Sequence, residues 1–259
     1  MAMIFRRMLA LALFSAAAPV SAEIQLYNQN FENPDGFVND GGDINIFRTI
    51  NQLYGGQPAG FTFAQNFTTE ALLIGGTQAF GQGYVDPDGR GGKYVVAQLS
   101  DVQDDRLGLA FNVGSFQFLN LQLDISSIDL DRFGGPFVPT GGAAPVFRFR
   151  LFDNPGGGTN IGTGTLLDSF DAVGLLNPSK RSFLWTHVND GLDAKLSTDG
   201  NVVLQIDVVS GGYAAFDNIR VSASDVRGGI PEPATWAMMI AGFGLAGIAF
   251  RREVKAAVA

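Results

Sequence analysis

The 259-residue chain is rich in Gly (34) and Phe (22), has only 16% charged residues and contains no cysteine. Such a composition excludes a helical bundle, which needs long runs of Ala, Leu, Glu and Lys, and it excludes disulfides, thiol catalysis and cysteine-held metals. The net charge is −8, and both ends are basic, so the middle is more acidic still; that surface repels phosphate backbones and predicts no nucleic-acid partner. The same acidity suits Ca²⁺ and tolerates neutral sugars, or serves only to keep an exported domain soluble.

Residues 1–22 read as a secretory signal peptide. Arg6 and Arg7 supply the positive start, Met8 to Ala18 the short apolar stretch, and Val20, Ser21 and Ala22 a small-residue cleavage site that leaves Glu23 as the new amino terminus.

Period-two alternation then recurs across 23–224. Strands are predicted at Lys93 to Leu99 and Leu107 to Phe111. The run from Phe116 to Ile125 shifts phase between Phe118 and Leu119, which predicts a bulge or a strand break. In the next strand Phe147, Phe149 and Leu151 alternate with Arg148 and Arg150. Phe183, Trp185 and His187 share one face, opposite Leu184, Thr186 and Val188. Val202, Leu204, Ile206 and Val208 share another, and Tyr213 to Val221 closes the series. Gly- and Pro-rich turn clusters separate these runs. No convincing amphipathic helix interrupts them. The expectation is an all-β chain: a single β-sandwich or jelly roll over 23–224, with exposed loops near 129–145 and 153–164 and a linker at 225–230.

Residues 231–259 begin with Pro231, Glu232 and Pro233, which stop any helix from continuing upstream. From Ala234 to Phe250 there is no charge, enough for a helix of about 25 Å. Trp236 sits at an interfacial position, Arg251 and Arg252 supply a positive stop, and Gly242, Gly244 and Gly247 form a small-residue face. A transmembrane helix is predicted, with the β domain outside the cytoplasm.

Pro231, Glu232, Pro233, then Trp236 and Ala237, the glycine-studded apolar run and Arg251–Arg252 resemble the PEP-CTERM sorting signal in its PEPxxWA form. The resemblance implies processing at or near Pro-Glu-Pro by an exosortase, a membrane cysteine protease-transpeptidase. It also implies a Gram-negative bacterium that makes exopolysaccharide and biofilm. Glu253 to Ala259 run past the arginines, a small departure from the family. Pro231, Glu232 and Pro233 are then another enzyme's substrate, not catalysts. A second resemblance joins Asn30, Phe31, Glu32, Asn33 and Pro34 to the segment from Ala215 to Val221. These look like the first and last strands of jelly-roll carbohydrate-binding modules. It implies a structural Ca²⁺ held by Glu32 and Asp217; the other reading makes both turn or edge residues.

Little else in the sequence points to chemistry. His187 is the lone histidine and reads as structural; there is no Gly-x-Ser-x-Gly elbow, no phosphate loop, and HExxH is impossible with one histidine. Asp101, Asp104 and Asp105, and Asp124, Asp129 and Asp131, could serve a glycosidase or Ca²⁺, though Asp near Gly and Ser favours turns. Tyr54, Tyr84, Phe133 and Phe137 could stack on sugars or belong to the core. The reading is an exported, exosortase-sorted, non-enzymatic protein of the cell surface or extracellular matrix. Its work is structural or adhesive, with polysaccharide as ligand and with exosortase, the export machinery and the membrane (through the carboxy-terminal helix) as partners. The alternatives are a carbohydrate-active enzyme with paired carboxylates and a ligand-free scaffold.

Overall fold

The structure is a computed structural model that describes residues 23–45, 48–55, 64–65, 69–98, 106–128, 143–158, 161–176, 181–211 and 213–228. In chain order the strands are β1 (Ile24–Gln29), β2 (Ile44–Asn45), β3 (Ala64–Gln65), β4 (Thr69–Leu73), β5 (Tyr94–Gln98), β6 (Arg106–Asn112), β7 (Phe118–Ser127), β8 (Val146–Asp153), β9 (Leu166–Val173), β10 (Trp185–Asp193), β11 (Asn201–Ser210) and β12 (Ala214–Ser224). One short helix, α1 (Ile50–Leu53), starts on a capping box between Thr49 and Gln52. They build two antiparallel sheets. The larger runs β10-β7-β12-β5-β4-β2, and the smaller β3-β6-β11-β8-β9.

β12 organises the larger sheet. One of its edges pairs with β7 along the strand. The other is shared: β5 takes Ala214 to Phe216, and β1 takes Ile219 to Ala223. Between these partners Asn218 adopts φ 53° and the register with β7 slips between Asp217 and Arg220. This is a β-bulge, and it re-aims the side chains on either side of it.

The main core lies between the sheets. Phe147, Phe149 and Leu151 of β8 and Val202, Leu204, Ile206 and Val208 of β11 meet Leu119, Leu121, Leu123 and Ile125 of β7 and Phe216, Ile219 and Val221 of β12. Each fully buried Phe or Leu contributes about 1.5–3 kcal/mol relative to exposure. A second apolar layer covers the outer face of the larger sheet, where Tyr84, Phe183, Trp185 and Tyr213 pack with Leu72, Val95 and Ala97. Phe183 and Trp185 stack at 5.0 Å.

Several expectations are corrected here. β7 runs unbroken against β10 from Phe118 to Ser126, so the phase shift at 118–119 is not a bulge. Phe116 precedes the strand in a turn, and Phe118 lies on the outer face under the Lys195 ammonium, 4.5 Å from its ring. Asn30 to Pro34 is not the first strand; β1 ends just before it. Tyr54 and Tyr84 are core residues, 4% and 1% exposed, not stacking platforms. Among the described residues no helix is long and apolar enough to cross a membrane. The signal segment to Ala22, the segment 231–259, Phe133, Phe137, Asp101, Asp104, Asp105, Asp129 and Asp131 lie outside the described residues. Glu23 is described and exposed, with its carboxylate 3.8 Å from Arg220.

Candidate functional site

Two regions combine polar chemistry with defined geometry. The first surrounds the bulge of β12. After β1 the chain turns at Phe31, whose φ is 54°; Gln29 Oε1 accepts its N–H at 3.0 Å and Tyr54 Oη donates to its carbonyl at 2.7 Å. The turn delivers Glu32 to the start of β5. There the Lys93 N–H donates to both carboxylate oxygens, at 2.9 and 3.0 Å, and the Tyr94 N–H reaches one at 3.4 Å. Gly92 makes the approach possible, because a Cβ at that position would stand 2.1 Å from Glu32 Oε1.

Asp124 of β7 sits on the outer face of the same sheet. It accepts from Arg90 Nη1 at 2.7 Å and from Asn218 Nδ2 at 3.1 Å, and it lies 3.0 Å from His187 Nδ1. Asp86 accepts from Trp185 Nε1 at 3.0 Å and from the Gly91 N–H at 2.7 Å. Asn218 also donates to the Arg90 carbonyl at 2.9 Å, so the bulge ties the 86–92 loop to the sheet. His187 stands beside Asp124 on a half-exposed edge.

Asp217 lies at the centre of this group and is 1% exposed. Its carboxyl accepts the Asn218 N–H at 2.6 Å. No arginine or lysine is paired with it among the described residues. Burial, then the charges of Glu32, Asp124 and Asp86, push its pKa up to about 9, against the one opposing hydrogen bond from Asn218. The same burial and the same two acids, Asp217 and Glu32, raise the Tyr54 phenol.

A buried carboxyl among like charges fits a bound cation chemically, and Glu32 retains lone pairs beyond its backbone bonds. Among the described residues no group of three or more His, Asp or Glu side chains closes to metal-holding distance. A Ca²⁺ here would therefore be held by Glu32 and Asp217, with backbone carbonyls and water supplying the rest of its six to eight oxygens.

The second region is on the outer face of the smaller sheet. Alternation on β8 sends Phe147, Phe149 and Leu151 inward and Arg148 and Arg150 outward. Arg148 forms a two-pronged pair with Asp171 of β9, at 2.7 and 2.8 Å. That pairing holds the Asp171 carboxyl below its ordinary pKa, against the cost of its partial burial. Arg150 pairs with Asp207 of β11 at 2.7 Å, and Asp207 is fully buried. Gln205 Nε2 donates to the same carboxylate at 2.7 Å. Gln205 is buried where Gly162 of the β8–β9 connection approaches it and Arg106.

An open groove of about 560 Å³ is lined by Arg148, Arg150, Leu166, Ser169, Phe170 and Asp171. Gln205 Oε1 and Arg150 Nε are buried with no hydrogen-bond partner among the described residues. The groove thus offers guanidinium donors, carboxylate and hydroxyl acceptors and little net charge.

Of the expected site residues, the structure brings Glu32 and Asp217 into one neighbourhood with Asp124, and places none of the three in this groove. Sequence reasoning missed Asp86, Arg90 and Asn218 as members of the acidic group. Asp86 stands in an Asp-Pro-Asp-Gly run that falls in one of the turn clusters, and Asn218 lies inside the predicted strand from Tyr213 to Val221.

Comparison with known proteins gives one match by sequence family. The PEP-CTERM protein-sorting motif covers residues 229–253. No curated protein matches the sequence. Similar solved structures include a cleaved adhesin domain of Lys-gingipain from Porphyromonas gingivalis, at 11% identity, with 76% of this chain and 97% of that chain covered and a TM-score of 0.40. The CBM22-1 xylan-binding domain of Paenibacillus barcinonensis Xyn10C aligns at 9% identity over 81% of this chain and 99% of that chain, with a TM-score of 0.38. A two-module xylanase chain from Clostridium thermocellum aligns at 12% identity over 77% of this chain and 28% of that chain, also with a TM-score of 0.38. The antiparallel sandwich is therefore followed, from Gly229 to Glu253, by a PEP-CTERM sorting motif, the mark of export and membrane-anchored sorting in Gram-negative bacteria.

Proposed function

We propose that this is a non-catalytic adhesive protein of the cell surface or extracellular matrix, released or anchored there by exosortase, whose sandwich binds polysaccharide. Its units are the leader 1–22, the domain 23–224, the linker 225–230 and the sorting segment 231–259. The observation that carries the reading is the sorting motif at 229–253 on a β-sandwich. The groove on β8 and β9 supports the binding role. Its two ion pairs neutralise each other internally, so it suits hydroxyl-rich, uncharged sugars, to which Arg and Asp can donate and accept in one plane.

Among the described residues, the groove does not present a glycosidase pair, its lining holding one carboxyl, Asp171. That chemistry needs two carboxyls facing one cleft, one of them protonated. In the groove Asp171 is held ionised by Arg148. Asp217, the carboxyl held protonated, is sealed at 1% exposure.

Two measurements test the reading. In cells with exosortase, mass spectrometry should find the mature carboxy terminus at or near Pro231–Pro233, and replacing Pro231, Glu232 and Pro233 by Ala should leave the tail intact. On a glycan array the processed protein should bind neutral polysaccharides, with Arg148→Ala weakening binding by about tenfold, the loss of a charge-assisted pair of contacts. An intact tail on the unaltered protein overturns the sorting assignment. Absence of binding to every glycan leaves a ligand-free scaffold.

A further inference from the structure

A linker between a domain and a sorting tail needs no fixed conformation, yet residues 225–228 are pinned to the larger sheet. Asn120 of β7, 3% exposed, uses both ends of its amide: Nδ2 donates to the Val226 carbonyl at 3.0 Å and to Ser224 Oγ at 2.8 Å, and Oδ1 accepts the Gly228 N–H at 2.8 Å. Ser224 Oγ closes a local turn with Val226. Arg227 reaches Asp190 of β10 at 3.1 Å and lies 3.9 Å from Asp168 of β9. Gly191 of β10 leaves the space for this. A Cβ there would stand 2.4 Å from Asn120 Oδ1, 2.9 Å from Arg227 Cγ and 3.1 Å from the Gly228 nitrogen.

The pinned contacts reach Gly228, and the sorting motif begins at the next residue. Only Gly229 and Ile230 separate Gly228 from Pro231. Three fully extended steps span at most about 11 Å, so Pro231 can lie no farther than that from Gly228 while the contacts hold. Enzymes that take an extended peptide bind it through the N–H and C=O groups flanking the target bond. In this protein the Val226 C=O and the Gly228 N–H are already spent on Asn120, and the Val226 N–H on Ser224 Oγ. We infer that Asn120 and Arg227 form a clamp that withholds the amino-terminal flank of the Pro-Glu-Pro site, so that clamp opening paces its entry into exosortase. The inference rests on the proposed processing by that enzyme.

Pulse–chase measurement of tail cleavage in exosortase-bearing cells tests it. Asn120→Ala should be processed roughly tenfold faster than the unaltered chain, the effect of losing a two-sided hydrogen bond, and Arg227→Ala a few-fold faster. An insertion of eight Gly and Ser residues between Gly228 and Gly229 leaves the clamp and its fold untouched but frees the flank, and should accelerate processing to a similar degree. Unchanged or slower cleavage in the insertion variant overturns the inference, even if Asn120→Ala folds poorly. If no chain is cleaved, the sorting assignment fails instead. The clamp is then judged by amide exchange in the purified full-length protein: protection of the Gly228 N–H that is lost in Asn120→Ala supports it, and free-peptide exchange in the unaltered chain refutes it.

Discussion

In the presence of a chelator, the domain is expected to lose stability steadily as the pH rises from about 5 to 9, and Asp217→Asn is expected to remove most of that loss. An unfolded Asp titrates near 3.9, whereas burial and the neighbouring acids hold Asp217 at about 9 in the fold. Between those values the native state carries one proton more than the unfolded chain. Stability therefore falls with rising pH, by up to about 1.4 kcal/mol per unit. At pH 8 the Asp217→Asn variant should exceed the unaltered protein by several kcal/mol in chelator. Ca²⁺ should invert the ranking, because a cation that binds the ionised carboxyl of the native state alone stabilises that state by mass action, and the neutral amide of the variant offers it a weaker ligand. Melting curves at pH 5, 7 and 9, with chelator or millimolar Ca²⁺, measure this. A flat pH profile in chelator refutes the buried-charge argument; a Tm indifferent to Ca²⁺ removes the cation. On the acid side the sign reverses. Asp153 is held below its ordinary pKa chiefly by hydrogen bonds from Thr198, so its contribution is present above the unfolded value near 4 and is lost as the pH falls through the folded one.

The second large effect is expected at Asp43, a residue with no catalytic prospect. It is fully buried at φ 67°. Its carboxylate accepts the N–H groups of Gln78 and Ala79 at 2.9 and 2.8 Å and the Asn39 amide at 2.7 Å. Gly76 gives it room, since a Cβ there would fall 2.2 Å from Asp43 Oδ1. These contacts hold down the segment that carries Ala79 and Tyr84 into the outer apolar layer. Asp43→Ala strands two backbone donors and forces Ala into the left-handed region, a combined cost of about 3–5 kcal/mol. Asp43→Asn keeps an acceptor and tolerates that backbone, and should cost about 1–2 kcal/mol. Chemical denaturation measures both; equal stabilities of the Ala and Asn variants would contradict the assignment.

How much of this was legible depended on whether one strand or several had to be known. β8 could be read directly, because Phe147, Phe149 and Leu151 bury while Arg148 and Arg150 do not. β11 could be read only by half. Its even positions face the core as expected, but Gln205 and Asp207 are buried too, the first near a connection over 40 residues away in sequence and the second against Arg150 of β8, neighbours that no local period reports. β9 carries Asp168, Ser169 and Asp171 along a half-exposed edge, and its inward residues Leu167, Phe170 and Ala172 are only partly buried against the core, too weak a pattern to announce it; its pairing with β8 makes it a strand. Glu32 and Asp217 were reached through a family likeness and not through spacing. The first strand expected from that likeness was misplaced by a few residues, since the strand proper ends at Gln29 and Glu32 follows a left-handed turn. Asp43, Asp86 and Asn120 were out of reach, because each acts through backbone groups that only the folded chain brings near.

The pairing of β1 with β12 sets Ile24 beside Ala223. The polypeptide thus enters and leaves the sandwich at one pole. A chain threaded outward from its amino terminus would present its first strand early and the neighbour of that strand almost last, so the seam cannot close until nearly the whole body has crossed. Once closed, the two ends of the sandwich lie side by side, so under the proposed sorting the body would be held to the membrane from a single corner.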